Sequence, residues 1–355
     1  MTMLAEDYEF VIGGDPDRDT VDLAVLDTGA GRVHAHLADT ADGAGYERML
    51  AWAGQHAPGR RIWALEGTGS FAAGLVVFLT GAGERVVEVG ALKRARGAKN
   101  DRIDAIRAAR QALSREEQGA PRSGGLREAL RMVFVCRQGV LVSRTKAINE
   151  LKSLIVVAPE HLRAQLRGRS LTVQLGRIEH LPVPTEAPIE HRLSVFSLQS
   201  VVARVRFLSA QLAELDPQLL ALIKQHPAGP ALLAEPGVGP VVAVQLLISW
   251  SHHGRVRNEA AFASLAGVAP LETSSGQRSR HRLNRGGDRA LNRALHTVAV
   301  TRMRCHPETR AYEIRRSAEG KTHRDIRRLV KRALARRLYR RIETAARLHT
   351  AGAAA

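Results

Sequence analysis

At 355 residues with 45% apolar side chains, the chain is long enough for two or three domains and has the composition of a globular protein. No run approaches the 18 apolar residues that suggest a membrane span, and residues 1–7 lack the basic and apolar parts of a signal peptide. Two distant cysteines, Cys136 and Cys305, fit a reducing cytoplasm, and the lone pair His252-His253 has no second cluster with which to hold zinc. The formal charge of +18 is unevenly spread: residues 1–60 hold eleven Asp/Glu against four Arg, and residues 301–355 hold sixteen Lys/Arg against five Asp/Glu. Clustered Arg is the expected footprint for phosphate backbones, which makes nucleic acid the expected partner, bound in a salt-sensitive way.

Taken in chain order, Phe10-Val11-Ile12 reads as a strand leading into Gly13-Gly14-Asp15. Strands over 21–26 and 32–37 follow, the second after a Thr-Gly-Ala-Gly turn. A helix over 46–55 precedes a strand over 61–66 that ends at a Gly-Thr-Gly turn. A buried helix over 71–79, a strand over 85–89 and a helix from about 100 to 113 complete the unit. Three strands, then helix, strand, helix, strand and helix, is the order of an RNase H-like (RuvC-like) α/β fold. Residues 114–124 are polar and rich in breakers, as a linker would be. Two long helical patterns over 125–157 and 190–225 flank a segment containing Pro182, Pro184 and Pro188, which predicts an antiparallel helical arm. From Pro236 onward, helices are predicted over 238–250, 259–265, 287–300 and 322–348, with a Ser/Gly/Arg-rich loop over 272–286. The expected domains are therefore 1–114 (α/β), 115–228 (linker and arm) and 229–355 (mostly α).

Four carboxylates in the first third sit where a metal-dependent nuclease fold would put ligands. Asp15 ends one strand, Glu66 ends another, and Asp101 and Asp104 project from one helix face at i, i+3. Hard divalent cations prefer carboxylate oxygen, and Mg²⁺ is commonly held by a few carboxylates, waters and substrate phosphate. Two such ions ~3.5–4 Å apart activate the attacking oxygen and stabilise the leaving one in phosphoryl transfer. Asp17, Asp19 and Asp22 are read as solvent-facing residues or auxiliaries.

In the last third, Glu235-Pro236-Gly237-Val238-Gly239-Pro240 has the form of a helix–hairpin–helix turn. There Gly237 and Gly239 let the backbone approach a phosphate without reading sequence. The loop Thr273-Ser274-Ser275-Gly276-Gln277-Arg278-Ser279-Arg280-His281-Arg282, with Arg285 beyond it, sets hydroxyls among guanidinium groups. From composition alone a phosphate-binding loop is favoured over one that supplies a nucleophile, although a serine there has Arg available to stabilise phosphoryl charge.

These residues form a pattern that resembles the insertion-sequence transposases of the family numbered one hundred and ten, also called DEDD recombinases. The matching pieces run in order over nearly the whole chain. They are Gly14-Asp15, Ala64-Leu65-Glu66-Gly67-Thr68-Gly69-Ser70, Lys99-Asn100-Asp101-Arg102-Ile103-Asp104-Ala105, Pro236-Gly237-Val238-Gly239-Pro240, Gly267-Val268-Ala269-Pro270, Ser275-Gly276, Arg285-Gly286-Gly287 and Glu319-Gly320-Lys321. The resemblance implies Mg²⁺ held by Asp15, Glu66, Asp101 and Asp104 in a RuvC-like domain, a coiled-coil arm, and a C-terminal transposase domain. Its nucleophilic serine maps to Ser275, with Ser274 beside it as the alternative, and forms a phosphoserine link to cleaved DNA. It also implies double-stranded donor and target DNA, a structured noncoding guide (bridge) RNA, a homodimer or homotetramer with a composite site, and a bacterial cytoplasmic, nucleoid-associated setting. The chain departs from the pattern at Pro16-Asp17-Arg18 after Asp15, at Gly14 before it, and in the arginine-rich stretch from Asp325 to Arg341. Two other readings are a junction-resolving endonuclease using the tetrad without a serine nucleophile, and a non-catalytic nucleic-acid-binding remnant. No G-x-x-x-x-G-K-[ST] phosphate loop is present, in keeping with a route that conserves ester bonds without ATP.

Overall fold

A computed structural model describes residues 4–90, 101–114, 119–122, 124–182, 186–275, 278–282, 284 and 286–354. Two compact units emerge, one built from residues 1–127 with 249–355 and the other from 128–248.

The first unit opens with a short helix, α1 (Leu4–Asp7), and the strands β1 (Phe10–Pro16), β2 (Thr20–Asp27) and β3 (Val33–Thr40). Helix α2 (Gly43–His56), strand β4 (Arg61–Glu66), helix α3 (Ala73–Gly81), strand β5 (Val86–Val89) and helix α4 (Asp101–Leu113) follow. The sheet order is β3-β2-β1-β4-β5, with β1, β2 and β3 antiparallel and β1, β4 and β5 parallel. That is the RNase H-like arrangement expected from the element order.

Period-2 alternation sorts the strand residues onto two faces. Ile12, Leu23, Trp63 and Leu65 join the core shared with α2 and α3, whereas Val11, Ala24, Ile62 and Ala64 pack with the alanines of α4. Ala105, Ala108, Ala109 and Ala112 form a small-residue ridge at i, i+3, i+4 and i+7, all fully buried. The ridge lets α4 press onto β1 at Gly13, where an added Cβ would lie 2.1 Å from the Ala105 carbonyl oxygen and 2.6 Å from the Ala109 nitrogen. Gly14 faces the other side, against the movable Leu65 and Leu23 side chains.

The second unit holds most of α5 (Gly125–Val157), then α6 (Glu160–Leu166), α7 (Leu171–Glu179), α8 (Ile189–Gln225), α9 (Gly229–Leu233) and most of α10 (Pro240–Trp250). Helices α5 and α8 run antiparallel: Arg137 pairs with Asp216, Arg144 Nε donates to Ser209 Oγ at 2.7 Å, and Arg204 meets Glu150 at 2.6 Å. Ala147, Leu151 and Ile155 interlock with Leu198, Val201, Val202 and Val205 between them. The segment read as a proline-rich separator contains two helices, α6 and α7, whose Leu166, Leu175 and Ile178 close this core. Helix α8 alone among the described helices is long and apolar enough to cross a membrane, although the sequence reading found no such run. It nevertheless carries Arg204 and Arg206, which form ion pairs with α5 and α7.

Returning to the first unit, α11 (Glu259–Leu265) is followed by strands β6 (Leu271–Ser275) and β7 (Arg278–Arg282) and helices α12 (Arg289–Cys305), α13 (Pro307–Ala318) and α14 (His323–Ala354). The loop expected over 272–286 is instead largely a two-stranded antiparallel ribbon, because alternating Arg and Ser satisfy the strand period as well as they fit a loop. Helix α13 also lies where none was predicted, since its side chains are all at least partly exposed and give no apolar stripe. In α14 the stripe Ile326, Val330, Leu334, Leu338 and Ile342 is buried at i+4 steps, which turns the arginines outward.

Candidate metal centre and nucleic-acid interface

Register explains why the acids meet. Asp15 stands opposite Asp22 in the β1–β2 ladder, and Glu66 is one step past the last β1–β4 pair, Gly14 with Leu65. By alternation Asp15, Asp22 and Glu66 all belong to the face that α4 covers. Helix α4 begins at Asp101, so its first turn delivers Asp101 and Asp104 to the same edge.

Asp15, Asp101 and Asp104 each present an oxygen within 4.8 Å of the others. Glu66 is outside that triplet but near enough for its charge to act on Asp15. The Asp15 carboxyl is pushed up to about 6, first by burial and then by the charges of Asp104, Glu66, Asp101 and Asp22. All five influences raise it. Arg107 meets Asp104 at 2.6 Å along the helix. Carboxylates crowded this closely repel one another unless protons or cations intervene, and an all-oxygen donor set suits a hard divalent ion. The residues therefore fit a hard divalent cation: Asp15, Asp101 and Asp104 would hold it, with Glu66 at the border.

Sequence reasoning undervalued three neighbours. Asp22 is raised by burial and by Asp101, and the Asp15–Asp22 register puts it beside the cluster rather than in solvent. His36 pairs across from Ala24 on the α4 side, and burial and Arg102 hold its imidazole below the ordinary histidine value. Gly13 sets the distance between β1 and α4. The alternation of residues along β1 and β2 was the available signal for Asp22, whereas Gly13 gave none without the helix above it.

Beyond β4, Gly67 turns with φ 65°, and the buried Thr68 hydroxyl accepts the Arg122 backbone N–H at 3.3 Å. Residues 119–122 join the β5 edge, where Glu88 N donates to Gly119 O at 2.6 Å. Glu88 also ties down Arg122 at 3.4 Å and Arg255 at 3.0 Å. Trp250 Nε1 donates to Glu343 Oε1 at 2.7 Å, and His253 meets the other oxygen of that carboxylate.

The other sequence-predicted residues lie elsewhere. Gly237 takes φ 79° in the turn between α9 and α10, where Val238 N donates to Glu235 O at 3.0 Å, while Gly239 has open space at its Cα. Ser274 pairs with Ser279, Ser275 with Arg278, and Thr273 with Arg280 along the ribbon, and Arg282 ends it opposite Leu271. Arg285 lies outside the described residues. Exposed arginines, among them Arg304, Arg310, Arg324, Arg336 and Arg340, crowd α12 to α14.

An RNase H-like sheet with converging carboxylates, followed by a basic helical region, defines the class of proteins that handle nucleic-acid phosphodiesters. The comparisons narrow this. Residues 12–158 match the DEDD transposase family of the IS110 type, and residues 230–313 match the family described as "Transposase IS116/IS110/IS902 family". Both matched segments are thus similar to insertion-sequence transposases of the IS110 type. It is 37% identical over 126 residues to the insertion element IS110 43.6 kDa protein of Streptomyces coelicolor, covering 35% of this chain and 31% of that protein. It is 24% identical over 322 residues to the insertion element IS900 42 kDa protein of Mycobacterium paratuberculosis, covering 75% and 78%. It is 26% identical over 211 residues to a probable family 20 transposase of Pseudomonas aeruginosa, covering 59% and 61%. The first and third matches thus span less than two thirds of the relatives' own lengths.

Proposed function

We propose that the protein is a DNA transposase/recombinase that cleaves and exchanges strands at a carboxylate-bound Mg²⁺ centre through a phosphoserine intermediate. The observation that carries this reading is the convergence of Asp15, Asp101 and Asp104 on one face of an RNase H-like sheet. A bound divalent cation supplies Lewis-acid stabilisation of charge on the phosphoryl oxygens. The chain's own part is to hold the carboxylates in position: α4 is pinned by Gly13, and Asp104 is steadied by Arg107.

Ser275, with Ser274 as its neighbour, is the proposed nucleophile, carried on a ribbon whose register sets Ser275 opposite Arg278 and Thr273 opposite Arg280. Its Oγ–P bond forms as a P–O ester bond breaks, and the proton shed by the serine matches the one taken up by the leaving hydroxyl. One ester replaces another, so resealing needs no nucleotide triphosphate. Arg278, Arg280, Arg282 and Arg285 are proposed to bind the phosphates around it, with the turn at Gly237 and Gly239 as a further backbone contact.

The proposed domain scheme keeps 1–114 as the metal-binding domain, 115–228 as the linker and arm, and 229–355 as the transposase domain. The partners proposed are donor and target DNA and a structured noncoding RNA that reads sequence, in a bacterial cytoplasm near the nucleoid. A homodimer or homotetramer is proposed as well. Ile189, Leu193, Phe196 and Phe207 support it, being exposed on α8 at positions in alternating four- and three-residue register.

The test is to trap cleaved DNA on denaturing gels. A protein–DNA adduct that forms with Mg²⁺ and disappears when Ser274→Ala and Ser275→Ala are combined supports the serine route. Cleavage without any adduct replaces it with a water-using junction nuclease, and binding without cleavage leaves a non-catalytic remnant.

A further inference from the structure

A cavity of about 360 Å³ lies between the Gly267–Pro270 segment and the first turns of α14. Its walls are of two kinds. Val268, Pro270 and Leu329 are apolar, whereas Lys321, Arg328 and Lys331 bring positive charge, against the single carboxylate of Asp325. Asp325 is partly engaged already: the Thr322 hydroxyl donates to it at 2.6 Å, and Arg328 is 3.3 Å away. Arg332, also on the lining, is held from outside by Glu259 at 2.7 Å.

Lys331 is the telling member. It is only 9% exposed, and its Nζ donates to Asn292 Oδ1 at 2.6 Å, a neutral partner that is itself fixed on the Ala266 carbonyl at 2.7 Å. Among the described residues no carboxylate pairs with Lys331 or with Lys321. An ammonium group taken out of water without a counter-charge is costly, so the site is built for an arriving anion. A free phosphate would account for the charges but not for the apolar wall beside them. A heterocycle joined to a phosphate accounts for both, since bases pack on apolar surface while the backbone seeks cations. The volume suits one such unit and excludes a duplex.

We propose that this cavity seats one unpaired nucleotide of the bound nucleic acid, with its phosphate at Lys321, Arg328 and Lys331 and its base against Val268, Pro270 and Leu329. The ligand class rests on the transposase reading above, but the pocket is independent of the metal centre. Pro270 runs directly into β6, so the nucleotide held here would lie a few backbone steps from the serine pair and would fix how far the strand is drawn along the ribbon.

The experiment uses the full chain, a short DNA duplex, and the same duplex with one extrahelical 2-aminopurine, followed by anisotropy and 2-aminopurine fluorescence. The bulged duplex is expected to bind about ten-fold tighter than the paired one. That ratio is expected to fall to about one in Leu329→Trp, which fills the cavity, and in Lys331→Met. Should Lys331→Met misfold, the surface variant Lys321→Gln is expected to lower the ratio about three-fold, the size of one partly solvated phosphate contact. Equal binding of paired and bulged duplexes by the wild-type chain, whether the bulge is a deoxyribonucleotide or a ribonucleotide, or an unchanged ratio in Leu329→Trp, overturns the proposal. An advantage seen only with a ribonucleotide bulge upholds the pocket and assigns its nucleotide to RNA. A chain that cleaves no DNA yet keeps the ratio fails the transposase reading and not this one.

Discussion

Removing one charge from the acid cluster should make the metal-free protein more stable. Asp15 is pushed from 3.8 up to about 6. For a fully buried group that separation corresponds to about 3 kcal/mol, and the partial exposure of this carboxyl reduces it to about 1–2 kcal/mol. The sign follows from proton linkage. The folded chain holds this proton at higher pH than the unfolded chain does, so folding loses stability as pH rises from about 4 to about 6 and stays at the lower level above that. Asp15→Asn is nearly isosteric and carries no charge. In EDTA at pH 7.5 it should melt about 1–3 °C above wild type, with the gap closing toward pH 4. Adding Mg²⁺ or Mn²⁺ should raise the wild-type midpoint, because the ion binds the folded form alone, and should leave Asp15→Asn nearly unmoved. Differential scanning fluorimetry across pH, with and without metal, reads both effects. An Asn variant that melts lower than wild type in EDTA, or that gains as much from Mn²⁺, would refute the argument that these carboxylates are assembled for a cation.

Three further outcomes follow from the structure. Gly13→Ala should destabilise the chain by about 2–3 kcal/mol in urea titrations, because its Cβ meets the Ala105 and Ala109 backbone, whereas Gly14→Ala should cost less since leucine side chains can move aside. Equal costs at the two positions would count against α4 being seated by Gly13. Asp101→Asn combined with Asp104→Asn should cut strand cleavage by at least about a hundred-fold while filter binding of DNA holds, and parallel loss of both would point to a folding role. Each Ala replacement at Arg278, Arg280 or Arg282 should flatten the log–log salt dependence of DNA binding by about one unit, and an unchanged slope would remove the ribbon from the interface.

Much of the α/β domain was legible from local pattern. Short apolar runs ending at Gly or Asp gave every strand of the five-stranded sheet, and the helix over 125–157 was read with the bounds that the structure has, because an uninterrupted helical period leaves little freedom. The two-stranded ribbon at Leu271–Arg282 and the exposed helix α13 were not legible, since neither buries an apolar face that periodicity could reveal. For the site, strand ends and an i, i+3 spacing were enough to nominate Asp15, Glu66, Asp101 and Asp104.

The sequence by itself determined which residue types were available to hold a cation, where the strands and long helices lie, and that a basic tail follows an acidic head. Those properties live in local spacing and composition. Only the tertiary structure decided that Asp15, Asp101 and Asp104 share one point while Glu66 stands at its margin, and that Asp22 and His36 lie on that side of the sheet. It alone brought the buried Lys331 to a cavity whose other wall comes from residues 267–270. Strand register and helix docking set those distances, and both depend on contacts between segments far apart in the chain. At Gly13 the deciding fact is the absence of a side chain, which means something only once α4 lies across it.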